Sequence, residues 1–138
     1  MSEHAFNTQV IGEFRAAGGS AASVGEMPLV LLHHIGVRSG LPRVSPLAYV
    51  EDAGRYVLLA SGGGRATNPA WYCNLMARGR ATIEVGAETI EVEAQEAVGE
   101  ERDRLFGALV KRVPEFADYL EKTDRIMPVV LLTPTERR

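Results

Sequence analysis

One cysteine, Cys73, is all the sequence carries. An internal disulfide is therefore excluded, and a reducing, cytoplasmic setting is the simpler reading. Attachment to a membrane surface stays open. Long apolar runs are missing as well. The longest, MPLVLL at 27–32, is far too short to span a bilayer, so no integral membrane segment is expected. The opening MSEHAFNTQV has no basic region ahead of an apolar stretch, and no signal peptide is expected. Metal ligands are scarce: beside Cys73 there are three histidines. His33 and His34 are adjacent and would point to opposite faces of a strand, so they do not converge on one metal. One of the pair is expected to line the interior or a pocket, the other a surface. Cys73 has no histidine at a recognisable spacing and reads as a buried, inert thiol. Ser61 lacks a G-x-S-x-G setting. No pair of carboxylates is placed for acid–base work, and the glutamates of 84–101 read as a solvated strand face. The side chains thus offer no metal, no activated nucleophile and no acid–base pair.

Two phosphate-binding loops are also missing. In GGGRAT, residues 62–67, Thr67 stands where G-x-G-x-x-G needs its third glycine, and no Gly-Lys-Ser/Thr follows as a Walker loop requires. The physics behind those motifs remains. Consecutive glycines let backbone N–H groups approach a ligand closely. Just beyond, Asn68 is a candidate N-cap and Pro69 a candidate first helical residue. Trp71, the only tryptophan, follows in the first turn, where it reads as a core anchor or as the wall of a flat-ring site.

What is present in excess is local positive charge. The net charge of −3 divides into −2 over residues 1–36, +4 over 37–80 and −5 over 81–138. All the basic residues of the middle third are arginines: 38, 43, 55, 65, 78 and 80. Arginine suits bidentate contact with phosphate or carboxylate, and a focused basic cleft attracts an anion even on an acidic protein. Arg55 and Arg78 also read as solvated turn residues. A basic stretch this small, at a pI of 5.6, does not suit nucleic acid.

Residues 1–138 read as one domain. AFNTQVIGEFRAA has Phe6, Val10, Ile11 and Phe14 at helical spacing, with Asn7 as a candidate cap and Gly18-Gly19 as the stop. MPLVLLHHI reads as a buried strand, and RVSPLAYVED as an alternating strand whose Pro46 argues for an edge or a bulge. RYVLLAS returns after the EDAG turn. A helix over about Pro69 to Arg78 follows, then two strands about Gly86. Two helices come next, the second begun by Pro114, and IMPVVLLTP is a last strand. The expectation is an α+β fold: a barrel-like sheet of about six mainly antiparallel strands with flanking helices.

These residues carry a family resemblance over nearly the whole chain. FNTQVIGEFRAAGG resembles the opening helix of the deazaflavin (coenzyme F420)-dependent nitroreductase family. GVRSGLPRVSPLAYV resembles its G-x-[RK]-S-G-x-x-R-x-x-P-L element, and LASGGGRATNPAWYCNL its A-S-x-G-G…H/N-P-x-W-Y-x-N-L signature. DYLEKTDRIMPVVLL resembles its closing helix and strand. The resemblance implies a split β-barrel and an F420-dependent oxidoreductase that passes a hydride to a small acceptor such as a quinone, an enone or a nitroaromatic. It implies that Arg38, Ser39 and Arg43 hold the phosphate and acidic tail of F420, and that Pro46 and Leu47 pack by the ring. Ala60, Ser61, Gly62, Gly63 and Gly64 run backbone along the deazaflavin. Trp71, Asn74 and Leu75 support it from the helix, and Tyr119 lies near the acceptor. Many relatives carry lysine at Gly62, for which Arg65 can substitute, and often Arg or Lys at Val37. Some nitroreducing relatives carry tyrosine at Phe116. Ser61 and Tyr119 are the candidates for a hydrogen bond to the acceptor. Two alternatives stand beside this reading: an FMN-using oxidoreductase of the same fold, and a non-catalytic carrier of F420 or of an apolar ligand. Relatives of this fold pair, so a homodimer belongs among the expectations.

Overall fold

The computed structural model describes residues 3–25, 27–61, 67–121 and 126–135. Gly62, Gly63, Gly64 and Arg65, four of the expected cofactor contacts, lie outside them. The elements run α1 (Glu3–Ala17), a short 3-10 turn (Ala22–Val24), β1 (Leu29–Ile35), β2 (Pro42–Ala48), β3 (Val50–Asp52) and β4 (Arg55–Leu59). They continue with α2 (Ala70–Arg78), β5 (Arg80–Val85), β6 (Glu88–Glu96), α3 (Gly99–Arg112), α4 (Glu115–Leu120) and β7 (Val129–Pro134).

All seven strands join one antiparallel sheet in the order β2-β1-β5-β6-β7-β4-β3. The seventh strand arises because the expected strand 43–52 breaks at Tyr49. Its first part pairs with β1 and its second with β4. One residue therefore carries the chain from one edge of the sheet to the other. That is only feasible if the sheet curls until its edges adjoin, which makes it a half-barrel split beside Tyr49. Pro46 lies in β2, an edge strand, where a missing N–H costs no ladder bond on the open side.

Alternation then assigns every strand residue to a face. Val30, Leu32, Leu58, Ile83, Val92, Val130 and Leu132 turn into the barrel, and Trp71 and Leu75 of α2 close over them. Val57, Leu59, Val129 and Leu131 turn outward beneath Leu105, Leu109, Val113 and Phe116 of the α3–α4 region. Leu29 and Leu31 turn outward beneath Val10 and Phe14 of α1. Phe6, counted in the apolar stripe of α1, is 40% exposed. At the end of α1 the backbone packs against the β5–β6 turn so closely that a Cβ at Gly19 would lie 2.6 Å from the Gly86 Cα.

Two helix starts differ from the expectation. α1 begins at Glu3, so Asn7 lies within its second turn and is not a cap. α2 begins at Ala70 with Pro69 in the cap position and no side-chain cap bond, one residue later than Asn68-Pro69 suggested.

Candidate functional site

β1 and β2 set out a row of side chains along the open edge of the barrel. Their register places Val30 opposite Leu47, Leu32 opposite Ser45 and His34 opposite Arg43. The row therefore runs from apolar to basic along one face. Three hollows follow it. The first, of about 260 Å³, is lined by Pro46, Leu47, Ser61, Trp71, Phe116 and Tyr119. The Phe116 and Tyr119 rings are 6.0 Å apart. The second, of about 520 Å³, shares Asn7, Ser45, Pro69 and Trp71 with the first and runs on to His34 and Arg43. The third, of about 250 Å³, shares His34 and Arg43 with the second and is bordered by Arg78 and Arg80. The three form one groove, aromatic at one end and arginine-rich at the other.

The basic end is built on the β1–β2 turn. Gly36 N–H donates to Leu41 O at 3.0 Å, and Gly40 N–H donates to Gly36 O at 2.9 Å. Leu41 N–H donates to Ser39 Oγ at 3.1 Å. These bonds pull the turn tight around Gly36. A Cβ there would lie 2.5 Å from Ser39 Oγ, so any larger residue would displace the Ser39 hydroxyl from the turn. The turn is tied to α2 by Val37 N–H, which donates to Asn74 Oδ1 at 3.0 Å.

The structure sorts the arginines. Arg15 forms an ion pair with Glu84, Arg55 with Asp52 and Glu101, and Arg104 with Asp52. Arg55 is thus a paired residue, not a solvated turn residue. Arg38, Arg43, Arg78 and Arg80 have no carboxylate partner among the described residues. Arg38 lies in the turn, Arg43 on β2, and Arg78 and Arg80 flank the end of α2. All four gather at one end of the barrel. Cationic groups left unneutralised in one place are a standing attraction for an anion.

The histidines separate as alternation requires. His33 faces out, paired with Glu84, which Arg15 also holds. Glu84 is therefore bound up in a cluster beneath α1 and is not part of a solvated face. His34 faces in and is 6% exposed. Its Nε2 lies 2.9 Å from Ser45 Oγ and its Nδ1 2.9 Å from Asn74 Nδ2. Burial, then the positive charge of Arg43, lowers its pKa to about 4.

Helical spacing explains α2. Trp71, Asn74, Leu75 and Arg78 share the face toward the barrel, whereas Cys73 falls on the opposite side and is exposed. The expected buried thiol is thereby corrected. Trp71 packs in the core and also borders the groove. Leu75 is fully buried and borders only the arginine end. Asn74 is buried and spends its amide on Val37 and His34. Tyr72 donates its hydroxyl to Glu96, away from the groove. Ala60 is buried in the barrel core and Ser61 is 8% exposed at the groove wall. Ser45 was not singled out by the sequence, although it follows from the alternation that also places Leu47.

A family model described as F420H(2)-dependent quinone reductase matches residues 7–134. The chain belongs to that family. The F420H(2)-dependent quinone reductase Rv1261c of Mycobacterium tuberculosis (strain ATCC 25618 / H37Rv) is 34% identical over 114 residues, covering 79% of this chain and 75% of the relative. The solved structure of an F420-H2 dependent reductase, FDR-A, is similar at 37% identity and a TM-score of 0.69, covering 76% of this chain and 93% of that one. A second structure, described as a domain-swapped dimer, is 32% identical with a TM-score of 0.71 over 94% of this chain and 97% of that one. Members of the quinone reductase family are oxidoreductases, and the half-barrel of this chain is the fold they share with it.

Proposed function

We propose that this chain, as one unit over residues 1–138, binds reduced F420 in the groove and reduces a quinone at its aromatic end. The observation that carries the reading is the polarity of the groove: an apolar, aromatic cleft continuous with Arg43, Arg78 and Arg80, with Arg38 in the adjoining turn, none of which has an acidic partner among the described residues. A flat ring with a long anionic tail fits that gradient. The tight turn at Gly36 carries Arg38 and Ser39 to that end of the groove.

In this reading Arg38, Ser39 and Arg43 hold the phosphate and carboxylates of the tail, Arg43 at the joint of the groove. Pro46, Leu47 and Trp71 flank the ring and exclude water. Ala60, Ser61 and the following Gly62, Gly63 and Gly64 offer backbone along it, and Arg65 adds a charge. Asn74 and Leu75 stand behind the contact layer and fix its position. Reduced F420, when bound, supplies the hydride. Ser61 and Tyr119, which both border the aromatic cleft, are the hydroxyls assigned to the acceptor, where a hydrogen bond strengthens as negative charge grows on the quinone oxygen. Phe116 and Trp71 keep that oxygen in a dry setting, in which such a bond is worth more than in water. The proton comes from solvent, since no carboxylic acid other than Glu115 borders the aromatic cleft among the described residues, and that helix-start glutamate is exposed. We place the protein in the cytoplasm as a homodimer. The likeness to a domain-swapped dimer supports the pairing, and light scattering tests it.

The direct test is titration of the purified chain with F420, with FMN in parallel, followed by oxidation of reduced F420 in the presence of menadione. Tight F420 binding with turnover is expected. Binding without turnover on any quinone assigns a carrier instead, and a preference for FMN overturns the cofactor.

A further inference from the structure

Ser45 sits where the aromatic cleft meets the channel toward Arg43, and it borders both. The direction of its hydrogen bonds is settled by a chain of contacts that begins at the backbone. Val37 N–H can only donate, and it donates to Asn74 Oδ1 at 3.0 Å. That fixes which way the Asn74 amide points. Its NH₂ group therefore faces His34 Nδ1 at 2.9 Å. An amide NH₂ can only donate, so Nδ1 must carry the lone pair. A neutral imidazole with a lone pair on Nδ1 has its proton on Nε2. An imidazolium would instead set N–H against NH₂, and burial beside Arg43 keeps the ring neutral. His34 Nε2–H accordingly donates to Ser45 Oγ at 2.9 Å. The Ser45 proton cannot return along that bond. Among the described residues no acceptor for it lies within hydrogen-bond distance.

We propose that Ser45 is a ligand-binding residue, locked as a hydrogen-bond donor that points its proton into the groove at the joint between ring and tail. It selects a ligand that places a proton-free acceptor oxygen, carbonyl or phosphoryl, at that point. A ligand with an N–H there would face a donor it cannot use and leave Ser45 unsatisfied. His34 and Asn74 act through Ser45 and are positioning residues. Their conformation is fixed by the same turn that carries Arg38 and Ser39, so the donor and the basic end are set by one network. The identity of the ligand as F420 rests on the functional reading above, whereas the donor polarity does not.

The experiment has two arms. In the first, nitrogen NMR of the unliganded, ¹⁵N-histidine-labelled protein at neutral pH reads the His34 tautomer. A proton on Nε2 alone is expected. A proton on Nδ1, with or without one on Nε2, overturns the locked donor. In the second, F420 is titrated into wild type, Ser45→Ala and Ser45→Thr. Ser45→Ala is expected to bind about tenfold more weakly, and Ser45→Thr, which keeps the hydroxyl, within about threefold of wild type. Equal affinity of wild type and Ser45→Ala removes Ser45 from the ligand. Loss in both variants alike points to packing and also overturns the proposal. Failure of the wild type to bind F420 rejects the cofactor, and with it the assigned ligand, while the first arm still decides the polarity.

Discussion

Arg43 shows how much a single residue can be asked to do. It stands opposite His34 across the β1–β2 ladder, contributes to keeping that ring neutral, and is common to the two hollows that meet beside it. With Arg38 it is the arginine that the functional reading places on the anionic tail. Replacing either by alanine is expected to weaken F420 binding about tenfold or more, since a charge-assisted contact to phosphate or carboxylate contributes about 1.5–3 kcal/mol. The loss should grow with the number of carboxylates in the tail. Calorimetry across tail lengths checks this, and an unchanged affinity in both variants removes the tail from this end of the groove. Glycine at 36 is the opposite kind of residue. It contributes nothing but room, and that room is taken up by the Ser39 hydroxyl that caps the turn.

At the scale of elements, the β3–β4 hairpin is held to α3 by charge as well as by packing. Asp52 at the end of β3 accepts from Arg104 at 2.8 Å and from Arg55 at 2.7 Å, and Arg55 also reaches Glu101 on α3. The cluster ties the β3–β4 hairpin to α3. The Arg104 and then the Arg55 hydrogen bonds lower the Asp52 pKa from 3.8 to about 2. A depressed carboxylate pKa means a contribution that is complete above the unfolded value and disappears as pH falls through the folded one. Asp52→Asn should therefore lower the melting temperature slightly at neutral pH and flatten its decline between about pH 4 and 2. Melting curves at several pH values check both. The effect is expected to shrink in high salt, because these partners are solvent-accessible.

For the whole molecule, His34 is an acid-sensitive element. Unfolded, it takes a proton near 6.5, whereas folded it does so only at about 4. Between those values the unfolded chain binds more protons than the native one, so acid favours unfolding. Stability should hold above about pH 6.5, fall as pH drops toward 4, and show no further His34 contribution below that. His34→Gln, which can still accept from Asn74 and donate to Ser45, should remove this part of the slope. An identical slope in the variant would mean that another group governs it. The same side chain thus links global stability to the groove, since the buried ring that is costly to protonate beside Arg43 is the one that orients Ser45.

The sequence by itself settled the local choices, because those depend on neighbours along the chain. Alternation in LVLLHHI separated His33 from His34, and Pro46 marked an edge strand. The helical spacing in GEERDRLFGALVKRV placed Leu105 and Leu109 inward. Clustering of arginines in the middle third, together with the two family-like motifs, indicated an anionic tail. Other features required residues distant in sequence to meet. No local signal breaks the strand at Tyr49, since β2 and β3 differ only in which partner each finds, and those partners are β1 and β4. Cys73 looked buried by type, yet the face of α2 turned to the barrel was taken by Trp71, Asn74 and Leu75. The arginines looked alike in sequence, and only folding gave acids to Arg15, Arg55 and Arg104 while leaving Arg38, Arg43, Arg78 and Arg80 together at one end. The donor direction of Ser45 is the furthest from the sequence. It depends on a turn, a helix and two strands that share one unbroken line of hydrogen bonds.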